Sequence, residues 1–171
     1  MADQDARADL YPIAARIKLL LMDCDGVLTD GRLYFSAGGE EMKVFDVRDG
    51  QGLVSWHKAG GSSGIISGRS SKVVDVRAGE LGVKFVHQGV EDKIQAFLAI
   101  LAEAYISDPA EVAYIGDDLP DILLMKKVGL PVAVGDAVGE VKAAAAYVTE
   151  AKGGRGAVRE VCDLLLSVSG R

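Results

Sequence analysis

Residues Ile17 to Met22 read as a strand buried on both faces, and they stop abruptly at the polar turn Asp23-Cys24-Asp25-Gly26. Such a strand needs neighbours on both sides and cover above and below, so the chain is committed to a layered fold. Further short apolar runs follow at Ser63–Ile66, Val83–Val86, Val112–Ile115 and Pro131–Val134. Between them lie segments with helical spacing. Ile94, Phe97, Leu98, Leu101 and Tyr105 fall at i, i+3, i+4, i+7 and i+11, one face of a helix. Asp108-Pro109-Ala110-Glu111 predicts a helix start, with a capping side chain, Pro in the first position and Glu in the third. A last helix is predicted over 156–168, with Val158, Val161, Cys162 and Leu165 facing inward. This alternation of strand and helix implies an α/β fold whose central sheet is mainly parallel, joined by right-handed crossovers. The composition agrees: 21 glycines and only 6% aromatic residues suit tight strand-to-helix turns better than a β-sandwich.

One stretch breaks the rhythm. Residues 32–47 alternate through Leu33-Tyr34-Phe35, turn at Ser36-Ala37-Gly38-Gly39-Glu40 and resume at Met42-Lys43-Val44-Phe45, which predicts a β-hairpin inserted after the first strand. Residues 1–10 carry mixed charge without periodicity and are expected to be a frayed terminus. With 171 residues and no internal repeat, low-complexity tract or linker, residues 1–171 are expected to form a single domain. Nineteen Lys and Arg against 25 Asp and Glu give a net charge of −6, which provides no general reason to collect nucleic acid. No apolar run is long enough to span a bilayer and no secretory leader opens the chain, so no membrane partner is expected. Two cysteines, Cys24 and Cys162, are too few for a disulfide framework or a thiolate zinc cage. The expected setting is a reducing cytoplasm.

In open α/β sheets ligands sit beyond the carboxyl ends of the strands, so polar residues there carry the most information. The first predicted strand ends in Asp23-x-Asp25 and the fourth in Gly116-Asp117-Asp118-x-x-Asp121. The second ends in Ser67-Gly68-Arg69, and Lys93 opens the helix after the third. Alone, an Asp-x-Asp is a helix cap or a solvated turn. Five crowded carboxylates with a hydroxyl and an ammonium form a different proposition: their mutual repulsion calls for a cation. Oxygen-only ligation without a His or Cys cluster favours a hard ion, Mg²⁺ before Ca²⁺ or Mn²⁺. That set suits a phosphoryl group, whose charge the cation and ammonium offset.

Asp23-Cys24-Asp25-Gly26-Val27-Leu28-Thr29-Asp30-Gly31 closely resembles the first motif of the haloacid dehalogenase superfamily of phosphatases. Ser67, Lys93 and Gly116-Asp117-Asp118-x-x-Asp121 match its second, third and fourth motifs in order. The resemblance sharpens to the capless 3-deoxy-D-manno-octulosonate 8-phosphate phosphatase family, of lipopolysaccharide sugar synthesis. It is carried there by Phe45-Asp46-Val47-Arg48-Asp49-Gly50, Ile65-Ile66-Ser67-Gly68-Arg69, His87-Gln88-Gly89 and residues Gly153 to Glu160. The resemblance implies a Rossmann-like three-layer sandwich and a Mg²⁺-dependent phosphomonoesterase working through an aspartyl-phosphate. It implies Asp23 as nucleophile and Asp25 as the acid that protonates the leaving oxygen and then activates water. Asp23, Asp117 and the backbone carbonyl of Asp25 would hold Mg²⁺, with Asp118 and Asp121 holding metal-bound water. Ser67 and Lys93 would steady the phosphoryl oxygens.

Arg69 has a fork suited to the carboxylate of a 2-keto acid, or it is a surface residue in a helix's first turn. Arg48 and Asp49 close the hairpin and either contact the sugar or pair with each other. Arg155 is either placed by a flexible Gly-Gly-Arg-Gly stretch near the anionic substrate of its own or an adjacent subunit, or it stands in a plain helix-start loop. The resemblance further implies a homotetramer in which Leu33, Tyr34, Phe35, Val44 and Phe45 of projecting hairpins pack together. His57, Trp56 and Cys24 are read as packing groups, and His87 falls in no motif position. Val54 and the acidic Val90-Glu91-Asp92 approach to Lys93 depart from the family pattern, which raises another sugar acid, such as a sialate-type 9-phosphate, as the alternative substrate. A non-catalytic oligomerisation module is opposed by the retained Asp23, Asp25, Ser67, Lys93 and Asp117. A phosphorelay receiver is opposed by His87-Gln88 standing where its phosphorylated Asp would follow the third strand.

Overall fold

The computed structural model describes residues 9–39 and 41–168. Its centre is β1 (Leu19–Met22), every residue of which is buried. Parallel neighbours flank it on both sides: β4 (Ser62–Ile66) pairs Leu19 with Ser62, and β6 (Val112–Gly116) pairs Leu19 with Val112. With β5 (Phe85–His87), β7 (Leu130–Ala133) and β8 (Tyr147–Val148), the order is β5-β4-β1-β6-β7-β8, and every pairing is parallel.

That order explains where a ligand belongs. From β1 the chain steps outward through α2 (Val47–Lys58) to β4 and through α3 (Lys72–Leu81) to β5. It then crosses back through α4 (Lys93–Glu103) to β6, on the far side of β1, and continues outward through α5 (Ile122–Met125) and α6 (Gly139–Ala144). Right-handed crossovers in opposite directions put α2 and α3 on one face and α4 to α6 on the other, giving three layers. The closing helix α7 (Ala157–Val168) packs on α2, where Gly52 lies so close that an added Cβ would come within 3.0 Å of the Arg159 Cα. The progression reverses between β1 and β6, so the crevice beyond their carboxyl ends is the switch point at which ligands bind.

The expected strands all form, with shifts of one or two residues, and β8 at the edge is a sixth that the pattern did not show. Val158, Val161, Cys162 and Leu165 are buried on α7 as expected. Four expectations are corrected. On α4 the buried stripe is Ala96, Phe97, Ile100 and Leu101, while Leu98 is exposed. Tyr105, with φ 56°, has already left the helix and is exposed. Asp108 does cap a turn, accepting from the Ala110 N–H at 2.9 Å, but the turn is one 3₁₀ cycle (Pro109–Glu111) because β6 begins at once. At the start of the chain, residues 1–8 lie outside the described residues. Leu10, expected to fray, is instead buried ahead of a one-turn helix, α1 (Tyr11–Ala14).

The hairpin is real but shorter than 32–47. Its strands are β2 (Tyr34–Phe35) and β3 (Glu41–Met42), paired Tyr34 to Met42 and Phe35 to Glu41, with Glu40 outside the described residues. The far end is claimed by α2, because the Asp46 side chain accepts from the Arg48 N–H and caps that helix. Leu33, Phe35, Met42 and Val44 are left exposed.

Candidate active site

The first motif is a tight turn. The Cys24 carbonyl accepts from the N–H groups of Val27, Leu28 and Thr29, and the buried Thr29 hydroxyl accepts from those of Gly26 and Gly31. Gly26 has φ 87°, and a Cβ there would fall 2.0 Å from Asp117 Oδ2, so only glycine lets the β1 and β6 loops approach. The Gly153–Gly156 segment is laid against the same turn rather than loose. The Gly154 N–H donates to the Val27 carbonyl at 2.8 Å, and that of Gly153 to Asp136 at 2.9 Å.

This packing gathers Asp23, Asp25, Ser67, Arg69, Lys93, Asp117 and Asp118 around one cleft of about 440 Å³. Lys93 donates to Asp23 Oδ2 and to Asp121 Oδ1, both at 2.7 Å, with its side chain 9% exposed. Asp23 Oδ1 accepts from the Cys24 N–H at 2.6 Å. Burial pushes the Asp23 carboxyl up to about 6, although Lys93 pulls it down. For Lys93 burial works the other way, yet Asp23 and Asp121 hold the ammonium above its ordinary range. Asp117 is pushed up to about 8, first by burial and then by Asp23, Asp121 and Asp118.

Asp117 shows what the crowding lacks. Its Oδ1 is buried with no hydrogen-bond partner, a costly state for a carboxylate. Carboxylate oxygens of Asp23, Asp117 and Asp121 lie within 4.8 Å of one another. An all-oxygen donor set with an orphaned acceptor fits a hard divalent cation, and relieves the repulsion. The Asp25 carboxylate is not in that cluster and is bound instead by Lys43.

Asp121 is held by protein donors on both of its oxygens. Its Oδ1 accepts from Lys93 and, at 2.6 Å, from the Tyr114 hydroxyl; its Oδ2 accepts from the N–H groups of Asp117 and Asp118. A carboxylate offers about four acceptor positions, and here all are taken by protein. Asp121 therefore orients Lys93 and the Asp117 loop directly. Tyr114 was not foreseen. It is fully buried, and burial holds its hydroxyl far above its ordinary range, so it stays a donor. Asp118 caps the following turn through the Leu119 N–H.

Ser67 sits at the end of β4, its N–H donating to the His87 carbonyl. Arg69 is in the loop beyond, not in a helix; it donates to Glu41 at 2.9 Å and its Nε lies 3.4 Å from Asp25 Oδ2. Glu41 and Lys43, also unforeseen, come from the hairpin. Lys43 donates to Asp25 Oδ1 at 2.5 Å and lies 3.3 Å from Glu41. Burial works against its ammonium, but the Asp25 bond raises it above the ordinary range.

Arg48 and Arg155 do not reach this cleft within one chain. They line a neighbouring hollow with Asp30, Phe45 and Asp46. Arg48 pairs with Asp46 at 2.6 Å and not with Asp49, whose buried carboxylate accepts from the Gly156 and Arg159 N–H groups and ties α2 to α7. A larger hollow of about 580 Å³ beside α7 contains none of the strand-end carboxylates. His57 bonds the Ser63 hydroxyl, while Trp56 and Cys24 are fully buried packing groups. Of the two departures from the family pattern, the acidic approach to Lys93 stands at the cleft, which Val90 and Glu91 line. Val54 lies away from the cleft, and Asp92 caps α4 by accepting from Ile94 and Gln95.

Residues 65–161 match the haloacid dehalogenase-like hydrolase family model. The chain is 48% identical, over 164 residues, to 3-deoxy-D-manno-octulosonate 8-phosphate phosphatase KdsC of Escherichia coli K12, covering 96% of this chain and 87% of the relative. The chain belongs to this phosphatase family of haloacid dehalogenase-like hydrolases. Among solved structures, the Yersinia pestis 3-deoxy-D-manno-octulosonate 8-phosphate phosphatase superposes with a TM-score of 0.92 at 47% identity, covering 94% of this chain and 86% of that one. The Moraxella catarrhalis phosphatase of the same name, crystallised with magnesium, phosphate and KDO, superposes with a TM-score of 0.90 at 41% identity, covering 94% and 91%. Among the described residues no helix is long and apolar enough to cross a membrane.

Proposed function

We infer that this chain is a Mg²⁺-dependent phosphatase that hydrolyses 3-deoxy-D-manno-octulosonate 8-phosphate to the free sugar acid and inorganic phosphate, a step of lipopolysaccharide sugar synthesis. The observation that carries the reading is the meeting of Asp23, Lys93 and Asp117 at the switch point, with Ser67 on the same cleft. When bound by Asp23, Asp117 and the Asp25 carbonyl, Mg²⁺ supplies charge neutralisation for the phosphoryl oxygens.

Asp23 acts as nucleophile through a carboxylate oxygen, the Cys24 N–H and Lys93 fixing its plane. Asp25 gives a proton to the leaving sugar oxygen and then takes one from the attacking water. The Ser67 hydroxyl and the Lys93 ammonium orient the phosphoryl oxygens. Asp121 and Tyr114 hold Lys93 in place. Arg69, with its side chain 46% exposed at the cleft, receives the sugar-acid carboxylate. Arg48 and Arg155, outside the cleft of their own chain, serve the substrate of a neighbouring subunit. The exposed apolar hairpin supports assembly into a homotetramer, since a ribbon of two residue pairs is marginal alone. We place the enzyme in the cytoplasm, where its free, buried cysteines are at home.

A panel of phosphorylated sugar acids tests the substrate. The eight-carbon 8-phosphate is expected to turn over with the highest kcat/KM. A higher value for a nine-carbon 9-phosphate would overturn the choice, and no Mg²⁺-dependent hydrolysis of any ester would remove the enzyme.

A further inference from the structure

We propose that Lys43 is a positioning residue of this phosphatase, holding the Asp25 carboxyl toward the leaving sugar oxygen, and that Glu41 holds Lys43. The inference rests on reading Asp25 as the proton donor. It starts from the alternation along β3 and the two residues that follow it. Met42 and Val44 point outward, 60% and 62% exposed, while Glu41 and Lys43 point inward, where the Lys43 side chain is 2% exposed. A lysine on so exposed a ribbon normally lets its ammonium reach water. This one is turned inward against Asp25, which lines the cleft: Asp25 takes one of its N–H donors and the Glu41 carboxylate lies 3.3 Å away.

Arg69 completes the arrangement. Asp25, Lys43, Glu41 and Arg69 form a closed ring of alternating charge in which each group meets two of opposite sign. Packing alone does not require it, since an apolar side chain would fill an inward hairpin position at lower desolvation cost. What the ring does is fix Asp25. One of its oxygens is held by Lys43, the other faces Arg69, and the remaining lone pairs are open to the cleft. Asp25 stands on a loop and would otherwise rotate freely, whereas a proton donor must be aimed to be effective. In the first step the Asp23 oxygen–phosphorus bond forms as the phosphorus–sugar oxygen bond breaks, and the sugar oxygen takes the Asp25 proton. In the second, water oxygen bonds phosphorus, the Asp23 oxygen leaves, and the water proton returns to Asp25. Lys43 holds the donor in both.

The leaving group separates this role from mere support of the fold. Sugar alkoxide needs the proton of Asp25; p-nitrophenolate does not. For Lys43→Met on the sugar 8-phosphate, kcat is expected to fall about 30-fold with KM within about threefold. With p-nitrophenyl phosphate, the first turnover should stay within about threefold of wild type. The slowed second step should then reveal a burst of p-nitrophenolate stoichiometric with subunits. Glu41→Gln, a near-isosteric change that loosens Lys43, should show the same pattern at about fivefold and decides the matter if Lys43→Met misfolds. Equal losses on both esters without a burst, or no loss on either, would overturn the proposal. A wild type inactive on both esters would overturn the phosphatase reading, and this inference with it.

Discussion

Two lysines bind the aspartates of the cleft, each standing between a pair of carboxylates, and the two are supported in different ways. Lys93 begins α4, whose first turn Asp92 caps, and it bonds Asp23 at the end of β1 and Asp121 beyond β6. Both strands are buried throughout. Lys43 hangs on a hairpin of two residue pairs whose outer face is exposed and apolar. On the proposed reading phosphoryl chemistry sits on the sheet, while Asp25 in the turn after β1 and Arg69 in the loop after β4 are steadied by Lys43 and Glu41 of the hairpin.

The largest expected contrast lies between the two lysines themselves. Lys93→Met should lower turnover at least about a hundredfold on both the sugar phosphate and p-nitrophenyl phosphate, because it touches the phosphoryl group whatever leaves. A loss confined to the sugar phosphate would erase the distinction. Next comes the support of the hairpin. Phe35→Ser combined with Met42→Ser should dissociate the assembly in sedimentation velocity and cut turnover of the sugar phosphate about tenfold. The melting temperature of the sheet domain should hold within a few degrees. An intact tetramer would show that the hairpin does not need its apolar face covered.

Two smaller effects sharpen the account of the sheet half. The Asp117 and Asp23 carboxyls, lifted chiefly by burial to about 8 and about 6 from 3.8, keep protons in the cation-free folded state that the unfolded chain has already released. The folded state binds more protons there, so cation-free stability falls as pH rises from about 4 to about 8. Mg²⁺, which needs the carboxylates, should therefore raise the melting temperature more at pH 8.5 than at pH 5.5, and an equal or reversed shift would break the argument. Tyr114→Phe removes one of four donors to Asp121 and should cost roughly 1–2 kcal/mol in urea unfolding. No loss would mean that Lys93 and the loop amides hold Asp121 unaided.

The two halves were also unequally legible in the sequence. Asp23, Ser67, Lys93 and Asp117 stand directly at strand ends or open a helix, so finding the strands was enough to place them. Lys43 and Glu41 were missed because alternation assigns a residue to a face without saying what that face meets. Tyr114 was missed because a tyrosine in an apolar strand reads as core until its hydroxyl is followed to Asp121. Of the two readings of Arg48, the pairing with Asp49 fails because Asp46 caps α2 and takes the guanidinium while Asp49 turns toward α7. The two-residue β8 carries too little pattern to be read, and its place is given by pairing with β7.

The phosphoryl group itself offers the most direct test. Rapid quenching of the Mg²⁺-loaded enzyme during turnover of the sugar 8-phosphate, followed by peptide mass spectrometry, should find an acyl phosphate on Asp23 and none in Asp23→Asn. A phosphoryl group on another residue, or full turnover by Asp23→Asn, would contradict the account.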